Sequence, residues 1–203
     1  MVLAMKNLLH VGCGGHHVLN QHGFNADDGW REIRLDINPA VNPDIIGTIT
    51  DMRNVPDDSI EAVFSSHNLE HLYPHEVPKA LAEFKRVLRN DGFAIILVPD
   101  IQPIAQMIAD GGILDTAYIS SAGPIMPLDI VYGHRPSIAN GNLYMAHHTA
   151  FTRDSLRKEL SEYFKETLLQ SRGFTLGAFA TNGDYETTYM LDKIWDFLGG
   201  KNA

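Results

Sequence analysis

Three glycines within four residues, Gly12, Gly14 and Gly15, close an apolar run that begins at Leu8. The run Leu8-Leu9-His10-Val11 has the length and character of a buried strand. Beyond it the chain enters a turn where the backbone must come close to something. Glycine serves such a turn twice. It reaches backbone angles that other residues avoid, and it removes the side chains that hold a ligand away. A purely structural turn between a strand and its crossover needs the same glycines, so the downstream spacing has to decide between the two.

Downstream, the chain alternates. Residues 6–11 read as the first strand, and residues 16–30, rich in His, Asn, Asp and Gly, leave room for two helical turns. That is near the minimum for a crossover between parallel strands. Further strands are expected at 32–37, stopped by Pro39, at 44–49, closed by Asp51, and at 60–65, whose near-continuous apolar content suits a parallel strand covered on both faces. Val77, Leu81, Phe84 and Leu88 make one apolar stripe and predict a helix over 75–89, with Pro78 in its first turn and Asn90-Asp91-Gly92 ending it. A fifth strand follows at 93–98. Thr152 reads as the N-cap of a helix that buries Leu156 and Leu160, with Phe151 as its staple. Residues 165–170 and 174–180 read as a closing hairpin, and a short helix over 189–198 finishes the chain. The expected fold class is α/β: a Rossmann-like, doubly wound, three-layer sheet, mostly parallel with a C-terminal antiparallel hairpin, in a single domain over 1–203.

Residues 100–150 break that grammar. Glycines at 111, 112, 123, 133 and 141 alternate with Pro103, Pro124, Pro127 and Pro136, so only short helices fit. Yet Ile101, Ile104, Ile108, Ile125 and Ile130 would be costly to leave in water, at about 1.5–3 kcal/mol each when buried. The segment is therefore expected to pack as a lid over the carboxyl ends of the strands, bringing Tyr132, His134, His147 and His148 above a bound ligand.

Composition narrows the function. With 16 basic and 25 acidic residues the formal net charge is -9, which argues against a nucleic-acid surface, since that needs a basic stripe. A single cysteine, Cys13, excludes an internal disulfide. The lack of a leader pattern and of any 18-residue apolar span predicts a cytoplasmic protein with no membrane partner. The sequence leaves the oligomeric state open.

In doubly wound sheets, ligands bind beyond the carboxyl ends of the strands. The glycine turn, Asp36, Asp51 and Ser66-His67 all fall at such ends. Asp36, 21 residues past Gly15, can accept both hydrogen bonds of a ribose diol. Asp51 can accept from an adenine amino group, with the Met52 backbone N–H facing the ring. A pyrophosphate dinucleotide calls for Gly-x-Gly-x-x-Gly, and His17 stands at the third glycine. The Walker phosphate loop is absent too. An adenosine cofactor without phosphates, S-adenosyl-L-methionine, fits what remains.

The order and spacing of His10-Val11-Gly12-Cys13-Gly14-Gly15, Arg34-Leu35-Asp36-Ile37, Thr50-Asp51-Met52, the stretch from Phe64 to Leu72, and the stretch from Phe84 to Gly92 resemble the class I S-adenosylmethionine-dependent methyltransferases. The chain looks most like predicted bacterial members of that superfamily, whose hallmark includes Tyr132-Gly133-His134 and Met145-Ala146-His147-His148 ahead of Phe151-Thr152. The resemblance covers nearly the whole chain. It implies that Gly12, Cys13, Gly14 and Gly15 form the cofactor loop and that Asp36 holds the ribose. It further implies that Asp51 and Met52 hold the adenine, while Ser66 and His67 flank the methionine end. The chain departs from the pattern at His16, where the family loop usually has a further glycine, and in its short first crossover.

Methyl transfer is an in-line displacement from a sulfonium, so the enzyme mainly positions the acceptor and excludes water. A base is needed only where the acceptor must lose a proton. His67, His71, Tyr132, His134, His147 and His148 are candidates, led by His67 at the end of the fourth strand and His148 on the covering segment. Two other readings compete. One is a protein that keeps the cofactor pocket without turnover. The other is a zinc hydrolase, because His67-Asn68-Leu69-Glu70-His71 matches H-x-x-E-H. That motif works on a helix, whereas here it follows a buried strand and runs into Tyr73-Pro74. The sequence therefore favours a methyltransferase for a small-molecule or glycan-like acceptor, with no metal ligand.

Overall fold

The structure, a computed structural model, describes residues 5–120 and 122–199. Seven strands form one sheet: β1 (Lys6–Val11), β2 (Trp30–Asp36), β3 (Ile45–Ile46), β4 (Ile60–Ser66), β5 (Leu88–Pro99), β8 (Glu166–Arg172) and β9 (Thr175–Thr181). Their order is β3-β2-β1-β4-β5-β9-β8. The first five run parallel, and β9 joins β5 antiparallel, with β8 outside it. From β1 the chain winds outward through β2 to β3, then returns to the other side of β1 as β4. That reversal opens a crevice at the carboxyl ends of β1 and β4, the place where such sheets take ligands.

Alternation along the strands feeds two cores. Leu9, Val11, Val63 and Ile96 face one side, where α1 (Val77–Val87) and α5 (Arg153–Ser161) contribute Leu81, Phe84, Leu156 and Leu160. Leu8, Phe64, Phe93 and Phe179 face the other, against Met190 and Ile194 of α6 (Thr187–Phe197). The expected three-layer fold forms. The Thr152 hydroxyl caps α5 by accepting from the Ser155 N–H at 3.2 Å, and Phe151 and Leu156 are both buried beside it.

Three local expectations differ from what forms. The first crossover contains no α-helix, only a 3-10 turn at Ala26–Asp28. Phe24 does the work of a helix face: fully buried, it meets Trp30 edge-on at 4.9 Å and lies 5.9 Å from Phe197. The third strand shrinks to two residues. The helix over 77–87 ends early, and Asn90, Asp91 and Gly92 lie within β5, where the register against β4 shifts between Ile60 and Ala62. This irregularity in the ladder absorbs residues whose composition reads as a turn.

Residues 100–150 form a small layer of their own. It holds α2 (Ile101–Ala109), a hairpin of β6 (Tyr118–Ser120) and β7 (Gly123–Ile125), α3 (Pro127–Tyr132) and α4 (Arg135–Ala139). Ile104, Ile125 and Ile130 pack together under it as a third apolar cluster. None of the described helices is long and apolar enough to cross a membrane.

Candidate active site

The glycine loop is held from β2. The Arg34 guanidinium donates to the Gly14 carbonyl at 2.6 Å, to His16 O at 3.2 Å and to Asn42 O at 3.0 Å. The Glu32 carboxylate accepts from the Val18 N–H at 2.9 Å and lies 2.8 Å from His10 Nδ1 and 3.0 Å from His17 Nδ1. Burial opposes ionisation of Glu32, but these hydrogen bonds outweigh it and bring its pKa down to about 2. Two charged side chains on a parallel strand thus replace a crossover helix. Their presence at positions 32 and 34, alternating with Ile33 and Leu35 along the strand, is the sequence signal for that role.

Gly12 is glycine for a contact as well as a conformation. Its φ is +56°, and a Cβ there would lie 1.8 Å from Asn68 Oδ1. Asn68 Nδ2 donates to Val11 O at 3.0 Å, locking the end of β1 to the loop after β4. Asn68 belongs to the site although no motif singles it out.

Beyond these ends lies a cavity of about 660 Å³, within the usual range for small-molecule sites. Gly12, Gly14, Asp36 and His67 line it. Asp36 is buried, with Oδ2 accepting from the Gly14 N–H and Oδ1 from the Asn38 N–H, both at 2.8 Å. Each oxygen keeps a further acceptor position. Cys13 is buried behind the loop, where burial pushes its thiol pKa up. Gly15 is exposed, and neither it nor Cys13 nor Ser66 lines the cavity.

Asp51 and Met52 also lie outside it. The Asp51 carboxylate pairs with Arg53, and the Met52 N–H is donated to Glu83 with its side chain fully buried. Arg86 completes that clamp by donating to Met52 O at 2.9 Å and to both Glu83 oxygens. The two-residue β3 ends early enough that Gly47, Thr48 and Ile49 line the cavity in their place.

The other half of the lining collects histidines. His67, His71, His134, His147 and His148 all border the cavity, while Tyr132 does not and is 63% exposed. His67 has a φ of +54° and brings Nδ1 to 3.2 Å from Glu70 Oε1. Burial disfavours its charge, but the Glu70 hydrogen bond and charge prevail and its pKa is raised. The fully buried Glu70 is shifted down by the same pairing against its own desolvation. Gly133 allows the covering segment to reach this point. Its φ is +94°, and a Cβ would strike Met145 O, so only glycine lets 132–134 lie against 145–147. The His147 N–H then donates to Tyr132 O at 3.2 Å, and the His148 N–H to Glu70 O at 2.8 Å.

H-x-x-E-H does not place two imidazoles on one face. Leu69–His71 is a 3-10 turn, not an α-helix, and the group whose ligating atoms converge is Glu70, His71 and His147, with His67 outside it.

Comparison with known proteins agrees with this architecture. Residues 9–96 match the family described as Methyltransferase domain. No curated protein sequence matches. Among solved structures, the chain is similar to the Burkholderia thailandensis 1,6-didemethyltoxoflavin-N1-methyltransferase with bound 1,6-didemethyltoxoflavin and S-adenosylhomocysteine. That likeness has 14% identity and a TM-score of 0.54, over 89% of this chain and 72% of that one. A SAM dependent methyltransferase from Archaeoglobus fulgidus is similar at 14% identity and TM-score 0.53, over 88% and 86% of the two chains. One from Aquifex aeolicus gives 14% and 0.52, over 88% and 84%. At these identities the structural likeness is one of fold. The domain match over 9–96, the strand order, and a crevice lined by Gly12, Gly14 and Asp36 together support a class I S-adenosylmethionine-dependent methyltransferase.

Proposed function

We propose that the chain transfers the methyl group of S-adenosylmethionine to a small-molecule acceptor bound beneath residues 100–150. The observation that carries this reading is the division of the cavity. One part is lined by the glycine loop and a buried carboxylate, the other by histidines and by the apolar side chains Ile125, Ile130, Leu143 and Tyr144. In this reading Asp36 accepts from the ribose hydroxyls through its remaining lone pairs, and Gly12 and Gly14 pass under the methionine part of the cofactor. Ile49 and the Gly47-Thr48 backbone border the adenine. The apolar lining favours an acceptor with a flat or apolar body over a glycan, whose hydroxyls need more polar partners. It fits the kind of molecule bound in the Burkholderia thailandensis enzyme.

His67 is the proposed base for an acceptor that must lose a proton. Its Nδ1 is taken by Glu70, which leaves Nε2 for the acceptor and stabilises the imidazolium that forms. His148, stacked on Tyr73 at 4.2 Å, is the second candidate. Residues 100–150 act as a lid over both ligands.

Calorimetry with S-adenosylhomocysteine tests the cofactor half. The wild-type protein is expected to bind it, and Asp36→Ala to weaken binding by about 1.5–3 kcal/mol, since a carboxylate makes charge-assisted bonds to the ribose. Absence of binding by the wild type would overturn the reading. Undiminished binding by the variant would remove Asp36 from it.

A further inference from the structure

One carboxylate oxygen stands out among the described residues. Glu70 Oε2 is fully buried and has no hydrogen-bond partner, although Oε1 is held by His67. Leaving a buried carboxylate oxygen unpaired is costly, so it points to something that binds there. Beside Glu70 lie His71 and His147, and one ligating atom from each of the three residues falls within 4.8 Å of the other two.

Both imidazoles are prepared in the way a cation requires. His71 Nδ1 lies 3.0 Å from Ala146 O, and His147 Nδ1 lies 2.8 Å from Ile130 O. A carbonyl only accepts, so each ring carries its proton on Nδ1 and its lone pair on Nε2. Carbonyl partners of this kind orient and fix the tautomer of metal-bound histidine. The rings stand nearly perpendicular with centroids 4.8 Å apart, an approach two imidazoles make without stacking. His67 fits as the support that holds the other Glu70 oxygen.

We propose that Glu70, His71 and His147 bind a divalent transition-metal cation, with open coordination positions facing the methyl-acceptor side of the cavity. Two neutral imidazoles and one carboxylate suit zinc or a neighbouring first-row metal rather than calcium or magnesium, which prefer all-oxygen sites. Metal bonds of about 2.0–2.2 Å hold ligand atoms roughly 3–3.5 Å apart, so the three groups draw in by about an ångström on binding. The ligands come from the loop after β4 and from the end of the covering segment. The cation therefore ties the two together. Its role in catalysis rests on the methyltransferase reading: an acceptor hydroxyl bound to it loses its proton more readily, to His67 or to water. The oxygen lone pair then forms the new C–O bond as the S–C bond of the sulfonium breaks, leaving the neutral thioether.

The test uses full-length protein prepared without a histidine tag, stripped with a chelator and titrated with zinc sulfate in a calorimeter. One equivalent is expected to bind. His147→Ala, His71→Ala and Glu70→Gln should each weaken binding by at least about tenfold, more than loss of a supporting contact usually costs. His75→Ala, which removes an exposed imidazole outside the cavity, should bind as the wild type does. X-ray absorption at the zinc edge of the wild-type complex covers variants that fail to fold: scattering from two imidazoles is expected. No uptake, uptake unchanged in all three variants, or a spectrum without imidazole overturns the proposal. Binding of S-adenosylhomocysteine, measured with and without chelator, separates the two readings. Zinc without the nucleoside would sink the methyltransferase reading and leave the cation site standing, and the reverse result would do the opposite.

Discussion

At the scale of single residues, the site depends on side chains that are missing. Gly12 sits at a left-handed φ and against Asn68, whose amide bridges the ends of β1 and β4. An alanine there meets two separate costs. The left-handed backbone costs about 1–2 kcal/mol, and forcing Asn68 aside costs about 1–3 kcal/mol in a packed setting. Gly12→Ala is accordingly expected to lose about 2–4 kcal/mol in urea unfolding. Adding Asn68→Gly should recover the steric part and leave the conformational part. Full stability in the single variant would show that Asn68 gives way freely and does not define the loop. Both glycine and asparagine could be read from the sequence, but their contact could not. Fifty-six residues separate them, and only the parallel pairing of β1 with β4 brings them together.

At the scale of elements, the first crossover is the unusual part, and Glu32 is its anchor. Its side chain is 4% exposed and its pKa is lowered to about 2. A carboxylate depressed in the folded state contributes stability that is present above its unfolded pKa, near 4.5, and is lost as pH falls toward the folded value. A depression of this size corresponds to about 3 kcal/mol. Glu32→Gln should therefore be less stable at pH 7 by about 2–3 kcal/mol, and its stability should vary less than the wild type's between pH 5 and 3. Parallel pH dependence in the two proteins would show that Glu32 does not control the acid limb. Elements with strong local signals were legible: the apolar strands β1 and β4, the stripe of α1, and the Thr152 cap of α5 all form. The crossover was not, because its order comes from charges on β2 that local propensity does not weigh. Asp51 and Met52 misled for a related reason. Arg86 and Glu83 on α1 claim the Met52 backbone, and a contact 31 residues away leaves no local trace.

At the scale of the whole molecule, residues 100–150 form a second, smaller body resting on the sheet. Their cluster of Ile104, Ile125 and Ile130 explains why an irregular segment carries so many isoleucines. Their attachment is uneven. At the start the Ile101 N–H donates to Phe151 O, and at the far end the His148 N–H donates to Glu70 O, so one end is pinned just before α5 and the other to the turn after β4. Between those pins lie Gly111, Gly123, Gly133 and Gly141, all at positive φ, and only at Gly133 does a neighbouring atom crowd the missing Cβ. Leu143 and Tyr144 line the cavity while remaining more than half exposed, so they have apolar surface left to bury. Closure over a bound ligand would bury it, at about 25 cal/mol per Å² of apolar area removed from water. Hydrogen exchange with and without S-adenosylhomocysteine should therefore show slower exchange across 111–146 as well as at Gly12 and Gly14, with the pinned ends at Ile101 and His148 changing least. Protection confined to the glycine loop would mean that the segment is a fixed wall of the cavity, and that an acceptor enters without any movement of its cover.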